Sequence, residues 1–120
     1  MALRTTEATR QFTASVGPLE EAFGQRARLA IMSCLVSAGR LSFLAIKEEL
    51  GLTDGNLSSH LSYLERKGFV SIEKGFQGKR PYTEAKTTEE GRAAFEQYVK
   101  ALETWVSALN REGKRSNGFE

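Results

Sequence analysis

One cysteine, one histidine and one tryptophan are spread through 120 residues. A lone Cys34 excludes an internal disulfide and points to a reducing compartment. A lone His60, with a single cysteine elsewhere, cannot assemble a nitrogen–sulfur metal site, so no metal is expected. No apolar run approaches the roughly 18 residues that span a membrane. The N-terminus lacks a charged stretch followed by an apolar one, so no secretion signal is read and a cytoplasmic location is expected. There is no phosphate-binding glycine loop and no set of carboxylates in apolar surroundings. An enzyme is therefore not expected, nor a cofactor. Charge of one sign is scarce too. The net charge of +2 is too mild to announce a nucleic-acid binder by itself. What remains, 40% hydrophobic and 27% charged, is the make-up of one ordinary globular domain.

The informative stretch is Leu41 to Thr87. Leu57, Leu61 and Leu64 recur at helical spacing and share one face. Asp54, Asn56, Ser59, His60 and Tyr63 are read onto the opposite face, which carries hydrogen-bonding groups and little bulk. Thr53 is placed to cap this helix, Leu52 to staple onto Leu57, and Gly68 to end it. Ser42 to Leu50 reads as a preceding short helix with Phe43, Leu44, Ile46 and Leu50 inward, closed by Gly51. Two helices joined by so tight a glycine-containing turn make a helix-turn-helix. Phe69 to Lys74 then alternates apolar and polar, as does Tyr82 to Thr87. Between them, residues 75–81 form a loop rich in glycine and positive charge. Helix, turn, helix and basic hairpin make a winged helix, with the second helix in the major groove and the hairpin along the backbone.

The flanks follow. Residues 1–17 show no sustained periodicity and read as a flexible arm, although Leu3, Phe12 and Val16 give it something to dock with. Pro18 suits a helix start, and Leu19, Ala22, Phe23, Arg26, Ala27, Ala30, Ile31, Cys34 and Leu35 carry a helical stripe with a kink or interruption at Gly24. Arg40-Leu41 is expected as a small strand beside the hairpin. Residues 18–87 thus form the winged-helix domain. Thr88 reads as the cap of a last helix, residues 88–110, with Glu89 and Glu90 complementing its dipole. Phe95, Tyr98, Leu102, Trp105 and Leu109 repeat at three and four, with Val99 and Val106 beside them. A rod of roughly 33 Å (~1.5 Å per residue) is too long for so small a domain to cover. A second copy of the same helix is the expected partner, giving a homodimer. Residues 111–120 read as a polar tail. The fold class is mainly α with a small β-hairpin, a winged helix-turn-helix with a long C-terminal dimerisation helix.

The sequence also resembles a known group. Leu50 to Leu61 is similar to the signature of small prokaryotic winged-helix transcriptional regulators near the MarR and ArsR families. The resemblance continues through Leu64 to Val70, Glu73 to Phe76, Thr88 to Phe95 and, upstream, Arg28 to Ile31. It spans most of the chain, about residues 19–109. Similar proteins carry a large aromatic and a leucine on the last strand, where this chain has Ala85 and Thr87. The resemblance implies a DNA-binding homodimer.

The candidate DNA contacts are Thr53, Asp54, Asn56, Ser58, Ser59, His60, Tyr63, Arg66 and Lys67 from helix 53–67, with Lys79 and Arg80 from the wing. For His60 a base or phosphate contact and idle exposure are evenly matched. For Asn56 and Ser59, contact is favoured over a merely solvated front. Lys79 and Arg80 make a charged finger suited to phosphates, which supply most non-specific affinity. Cys34 on a helical stripe reads as a structural thiol. Tyr98 and Trp105 read as core and seam, in preference to a small-molecule pocket. The function expected is a sequence-specific regulator of repressor type. The alternative is a winged-helix protein–protein module, since fold alone does not settle function. A small organic effector between dimer helix and domain is compatible with the sequence, which does not name one.

Overall fold

The computed structural model describes the backbone of residues 2–117 and the side chains of residues 7–111. The order is α1 (Ala2–Val16), α2 (Leu19–Phe23), α3 (Arg26–Ala38), β1 (Arg40–Ser42), α4 (Phe43–Leu50), α5 (Asp54–Arg66), β2 (Val70–Gln77), β3 (Arg80–Thr87) and α6 (Glu89–Asn117). The strands form one antiparallel sheet in the order β1-β3-β2. Among the described residues no helix is long and apolar enough to cross a membrane.

The helix-turn-helix is built by its caps. Ser42 Oγ accepts from the Ala45 amide at 3.0 Å, opening α4. Thr53 Oγ1 accepts from the Asn56 amide at 3.1 Å, opening α5. Each hydroxyl satisfies an N–H that the first helical turn leaves unpaired. The far end of α5 needs Gly68 at φ +82, where a side chain would be strained. That turn lets the Phe69 amide reach back to the Leu64 carbonyl at 3.0 Å and starts β2 directly. Leu57, Leu61 and Leu64 are fully or almost fully buried beside Ile31, Met32, Leu35 and Ile46, so α5 is held by its apolar back.

Ala85 sits at the middle of the sheet, opposite Leu41 on one side and Ile72 on the other, and is 1% exposed. β3 pairs with β2 along its whole length. Thr88 then joins hairpin to last helix. Its Oγ1 accepts from the Gly91 amide at 2.9 Å and donates to the Gly68 carbonyl at 2.7 Å. Gly91 lies so close on the Phe69 carbonyl that a Cβ has no room there.

Four expectations are corrected. Leu44, read as inward on α4, is 55% exposed. The loop read over residues 75–81 is mostly paired strand, out to Gln77 opposite Arg80, with only Gly78-Lys79 at the turn. Residues 1–17 are not a loose arm: α1 lies along α6, with Phe12 and Val16 buried. Phe12 stacks on Trp105 at 4.5 Å and meets the edge of Tyr98 at 5.8 Å. The reading overlooked that Ala8, Phe12 and Val16 recur at spacings of four, a narrow apolar face that becomes stable only when α6 covers it. Leu3 lies outside the residues whose side chains are described. The last helix also runs past Asn110 to Asn117, through much of the segment read as a tail; residues 118–120 lie outside the described residues. Gly24 does interrupt the helical stripe, ending α2, and Gln25 turns extended before α3.

Candidate nucleic-acid interface

On α5, the side chains of Thr53, Asp54, Asn56, Ser58, Ser59, Arg66 and Lys67 are all exposed. Relative to the leucine back, the outermost positions at 100° per residue are Gly55, Ser59, Ser62 and Arg66, flanked by Tyr63, Asn56 and Ser58. Asp54 stands at the edge of this front, where its carboxylate accepts from Lys47 Nζ at 2.9 Å.

His60 and Tyr63 are not free on the front. His60 is half-buried, and its Nδ1 lies 3.3 Å from Arg28 Nη1. The Arg28 guanidinium also lies over the Tyr63 ring, 4.0 Å from its centre. Arg28 itself is fixed from behind, donating from Nε to the Ala22 carbonyl at 2.9 Å and from Nη2 to the Glu21 carbonyl at 2.8 Å. Tyr63 donates its hydroxyl to Glu21 Oε1 at 3.0 Å, and Lys67 Nζ approaches the same oxygen at 3.5 Å. The result is a clamp from α2 and α3 onto one flank of α5. Burial, then the neighbouring Arg28 charge, pushes the His60 pKa below its ordinary 6.5, so the ring is held neutral with Nδ1 as acceptor. The Tyr63 hydroxyl, then Lys67, pulls the Glu21 carboxyl below its usual 4.5. Tyr63 is outward by spacing and is covered by Arg28, whereas His60, three after Leu57 and four before Leu64, stands beside the leucine back by spacing itself and was read onto the wrong face. Arg28 was missed as a functional residue: a charged residue in an apolar stripe was its only signal.

The wing turns at Gly78-Lys79 between the paired Gln77 and Arg80. Lys79 and Arg80 are exposed, and with Lys74 they enter no ion pair among the described residues. The acids of the hairpin sit nearer the sheet. Glu84 is engaged by Arg40 at 3.0 Å and by the Tyr82 hydroxyl at 3.1 Å. Between α5, the start of α4 and the wing opens a groove of about 900 Å³. Its rim carries Ser58, Ser62, Lys74, Gln77, Arg80 and Thr83 over a floor that includes Leu61 and Ile72. Ser62, Gln77 and Thr83 escaped the sequence reading because their convergence exists only once hairpin and helix are docked. The groove offers hydroxyls, an amide and two cations, a donor set that backbone phosphates take, with the Glu65 carboxylate of α5 also in its lining. Among the described residues no group of three or more His, Cys, Asp or Glu is placed to hold a metal ion. Cys34 is partly buried and its thiol is pushed up by burial, then by Glu49, as for a structural cysteine.

The aromatic part of the expected dimer seam is used inside the chain. Tyr98 is buried, meeting Phe12 and Phe23 edge-on, and donates to Glu20 Oε1 at 3.3 Å. Phe95 meets Phe23 at 6.2 Å, and Trp105 lies under Phe12 and donates to Thr9 Oγ1 at 3.3 Å. Val99, Leu102, Val106 and Leu109 form a second stripe on α6 at spacings of three, four and three, half-buried except for Val106, which is 45% exposed.

Residues 27–106 match the winged helix DNA-binding domain family. An uncharacterized protein of Methanocaldococcus jannaschii is 40% identical over 77 residues, 64% of this chain and 84% of the relative. Among solved structures, the transcriptional regulator homologue protein from Pyrococcus horikoshii OT3 is similar with a TM-score of 0.74 and 30% identity, covering 86% of this chain and 97% of that one. The oxidized form of MarR from E. coli is similar in fold, with a TM-score of 0.56 at 20% identity over 96% of this chain and 77% of that one.

Proposed function

Because the chain belongs to the winged-helix DNA-binding domain family, we propose that it is a sequence-specific transcriptional regulator acting as a homodimer in a prokaryotic cytoplasm. In this reading α5 enters the major groove, with Asn56, Ser58, Ser59 and Ser62 toward base edges and neighbouring phosphates, and Arg66 toward the strand. Lys79 and Arg80 clamp the flanking backbone. His60, Tyr63 and Lys67 hold the angle of α5 through Arg28 and Glu21. The observation that carries the reading is the shared groove between α5 and the wing, lined by hydroxyls and by Lys74 and Arg80, which form no ion pair among the described residues although Glu65 shares the lining. Two copies joined along the Val99–Leu109 stripe, with α1 beside it, would present recognition helices to successive major grooves roughly 34 Å apart. A nearly palindromic operator follows from that symmetry. Occupying it blocks other proteins from the same site, a repressor's mode of action.

The test is binding of wild type and a Lys79→Ala/Arg80→Ala double variant to genomic fragments across a salt series. If both cations meet phosphates, the log–log salt slope of the variant is shallower by roughly 1.8. One fragment should also survive competition by bulk DNA. Absence of binding to any fragment at low salt would transfer the α5 front to a protein partner, the second use of this fold.

A further inference from the structure

Phe76 is 74% exposed, the highest value among the exposed large hydrophobic side chains described. A single exposed apolar residue is ordinary; its position here is not. It lies in β2 directly opposite Pro81 of β3, at the far end of the hairpin. Side chains alternate across a strand, so the pairs Ile72–Ala85, Lys74–Thr83 and Phe76–Pro81 share one sheet face. Ala85 of the first pair is buried with Ile72 packed against the core, the second pair lines the groove beside α5, and in the third Pro81 still lines that groove while Phe76 stands exposed at its outer end. From Lys74 to Thr83 the finger carries Lys74, Lys79 and Arg80 and no carboxylate. Charge complementarity therefore selects a polyanion as the occupant of this apolar tip.

We propose that Phe76, backed by Pro81, is itself a DNA-contact residue, a nonionic wedge that the wing seats in the minor groove flanking the recognition helix. This rests on the DNA-binding reading above. A finger reaching sideways from a major-groove helix crosses the sugar–phosphate strand that borders that groove and arrives at the minor groove. The walls there are deoxyribose, whose carbon faces accept an apolar side chain, and minor-groove proteins insert phenylalanine wedges between base steps from this groove. The two sets of contacts divide the work. Lys79 and Arg80 fix the finger to phosphates without regard to sequence, whereas Phe76 responds to groove width and to how easily the duplex opens. Because Phe76 lies outside the core, changing it leaves the fold intact.

The experiment compares full-length wild type, Phe76→Ala, Phe76→Leu and Lys79→Ala/Arg80→Ala on a labelled A·T-rich duplex of about 30 base pairs between roughly 50 and 300 mM salt. Phe76→Ala is expected to bind about five- to tenfold more weakly at every salt concentration with a slope parallel to wild type, and Phe76→Leu to recover most of the loss. Netropsin, which fills the minor groove, should weaken wild type and have little further effect on Phe76→Ala. Vesicles of phosphatidylcholine with anionic phosphatidylglycerol should show no binding that depends on Phe76. The inference is overturned, with DNA binding intact, if Phe76→Ala stays within about twofold of a wild type that binds the duplex. It is equally overturned if netropsin leaves wild type unaffected or if only vesicle binding depends on Phe76. A wild type that binds no DNA even at the lowest salt would remove the DNA-binding reading, and this inference with it.

Discussion

The guanidinium of Arg28 lies 4.0 Å from the centre of the Tyr63 ring, and through that stack the helix behind the recognition helix fixes its flank. Arg28 uses four partners at once: two carbonyls at the end of α2, the His60 ring nitrogen and the Tyr63 face. A planar fork does this and an ammonium group cannot, since it lacks both the spread of donors and the stacking surface.

Replacing Arg28 by alanine should therefore cost about 1–2 kcal/mol of stability, from one part-exposed cation–π contact and the hydrogen bonds to carbonyls. It should also weaken DNA binding with no change in salt slope, because the residue acts on helix angle and touches no phosphate. Denaturant unfolding and a salt-series titration measure the two effects. Arg28→Lys keeps the charge and should behave closer to Arg28→Ala than to wild type; full recovery by lysine would mean that charge alone matters at this site.

Acid should loosen the same clamp. The folded-state pKa of His60 lies below its ordinary 6.5, so in the window just below 6.5 the unfolded chain binds more protons than the folded one. Stability is fully present above that value and is lost as the pH falls through the folded pKa. A protonated His60 no longer accepts from Arg28 and repels it. Glu21, lowered by Tyr63 and Lys67, acts in the same direction at lower pH, below about its ordinary 4.5. The unfolding midpoint should thus fall between about pH 7 and pH 5, and His60→Gln should flatten that segment of the profile. A profile identical in the variant would show that His60 is not the group responsible.

Much of the domain was legible because its signals are local. Thr53, Gly68 and Thr88 sit at element ends whose chemistry a single residue announces, and all three do there what their types imply. Leu57, Leu61 and Leu64 carried the buried face of α5 by spacing alone. The misreadings share a different physics. Helix α1 forms because Phe12 finds Trp105 and Tyr98 more than ninety positions later in the chain or nearly so, contacts that no window of sequence contains. Tyr63 is outward by spacing but is covered by an arginine in another helix, and His60 stands beside the leucine back three residues after Leu57. Phe95, Tyr98 and Trp105 have the spacing of a seam, but periodicity reports that a face is apolar and cannot say whether its own chain or a second copy covers it.

Gly91→Ala tests the joint between wing and last helix. In an open helix, glycine to alanine is favourable by about 0.5–1 kcal/mol. Here the added Cβ would run into the Phe69 carbonyl and backbone, a contact that flexible side-chain motion cannot relieve. The clash should win, with a net loss of about 1–3 kcal/mol as for other overpacked sites. Thermal unfolding reads the sign directly. A variant more stable than wild type would show that α6 can lift away from β2 at little cost.

Val106 tests the proposed dimer without touching the core. It is 45% exposed and stands in the Val99, Leu102, Val106, Leu109 stripe, on a helix of 29 residues. At ~1.5 Å per residue that helix is roughly 44 Å long. Truncating α6 would confuse assembly with folding, because Tyr98 and Phe95 at its base belong to the core. Val106→Glu avoids this: a carboxylate there is solvated in a monomer but faces its own copy across a two-fold interface, where burying like charges is costly. The variant should sediment as a monomer with an unfolding profile characteristic of the intact domain. Its affinity for a fragment holding two half-sites should drop on the order of tenfold or more, because the second recognition helix is no longer tethered to the first. If Val106→Glu sediments as a dimer, the seam lies elsewhere, and the exposed flank of α1 becomes the surface to probe.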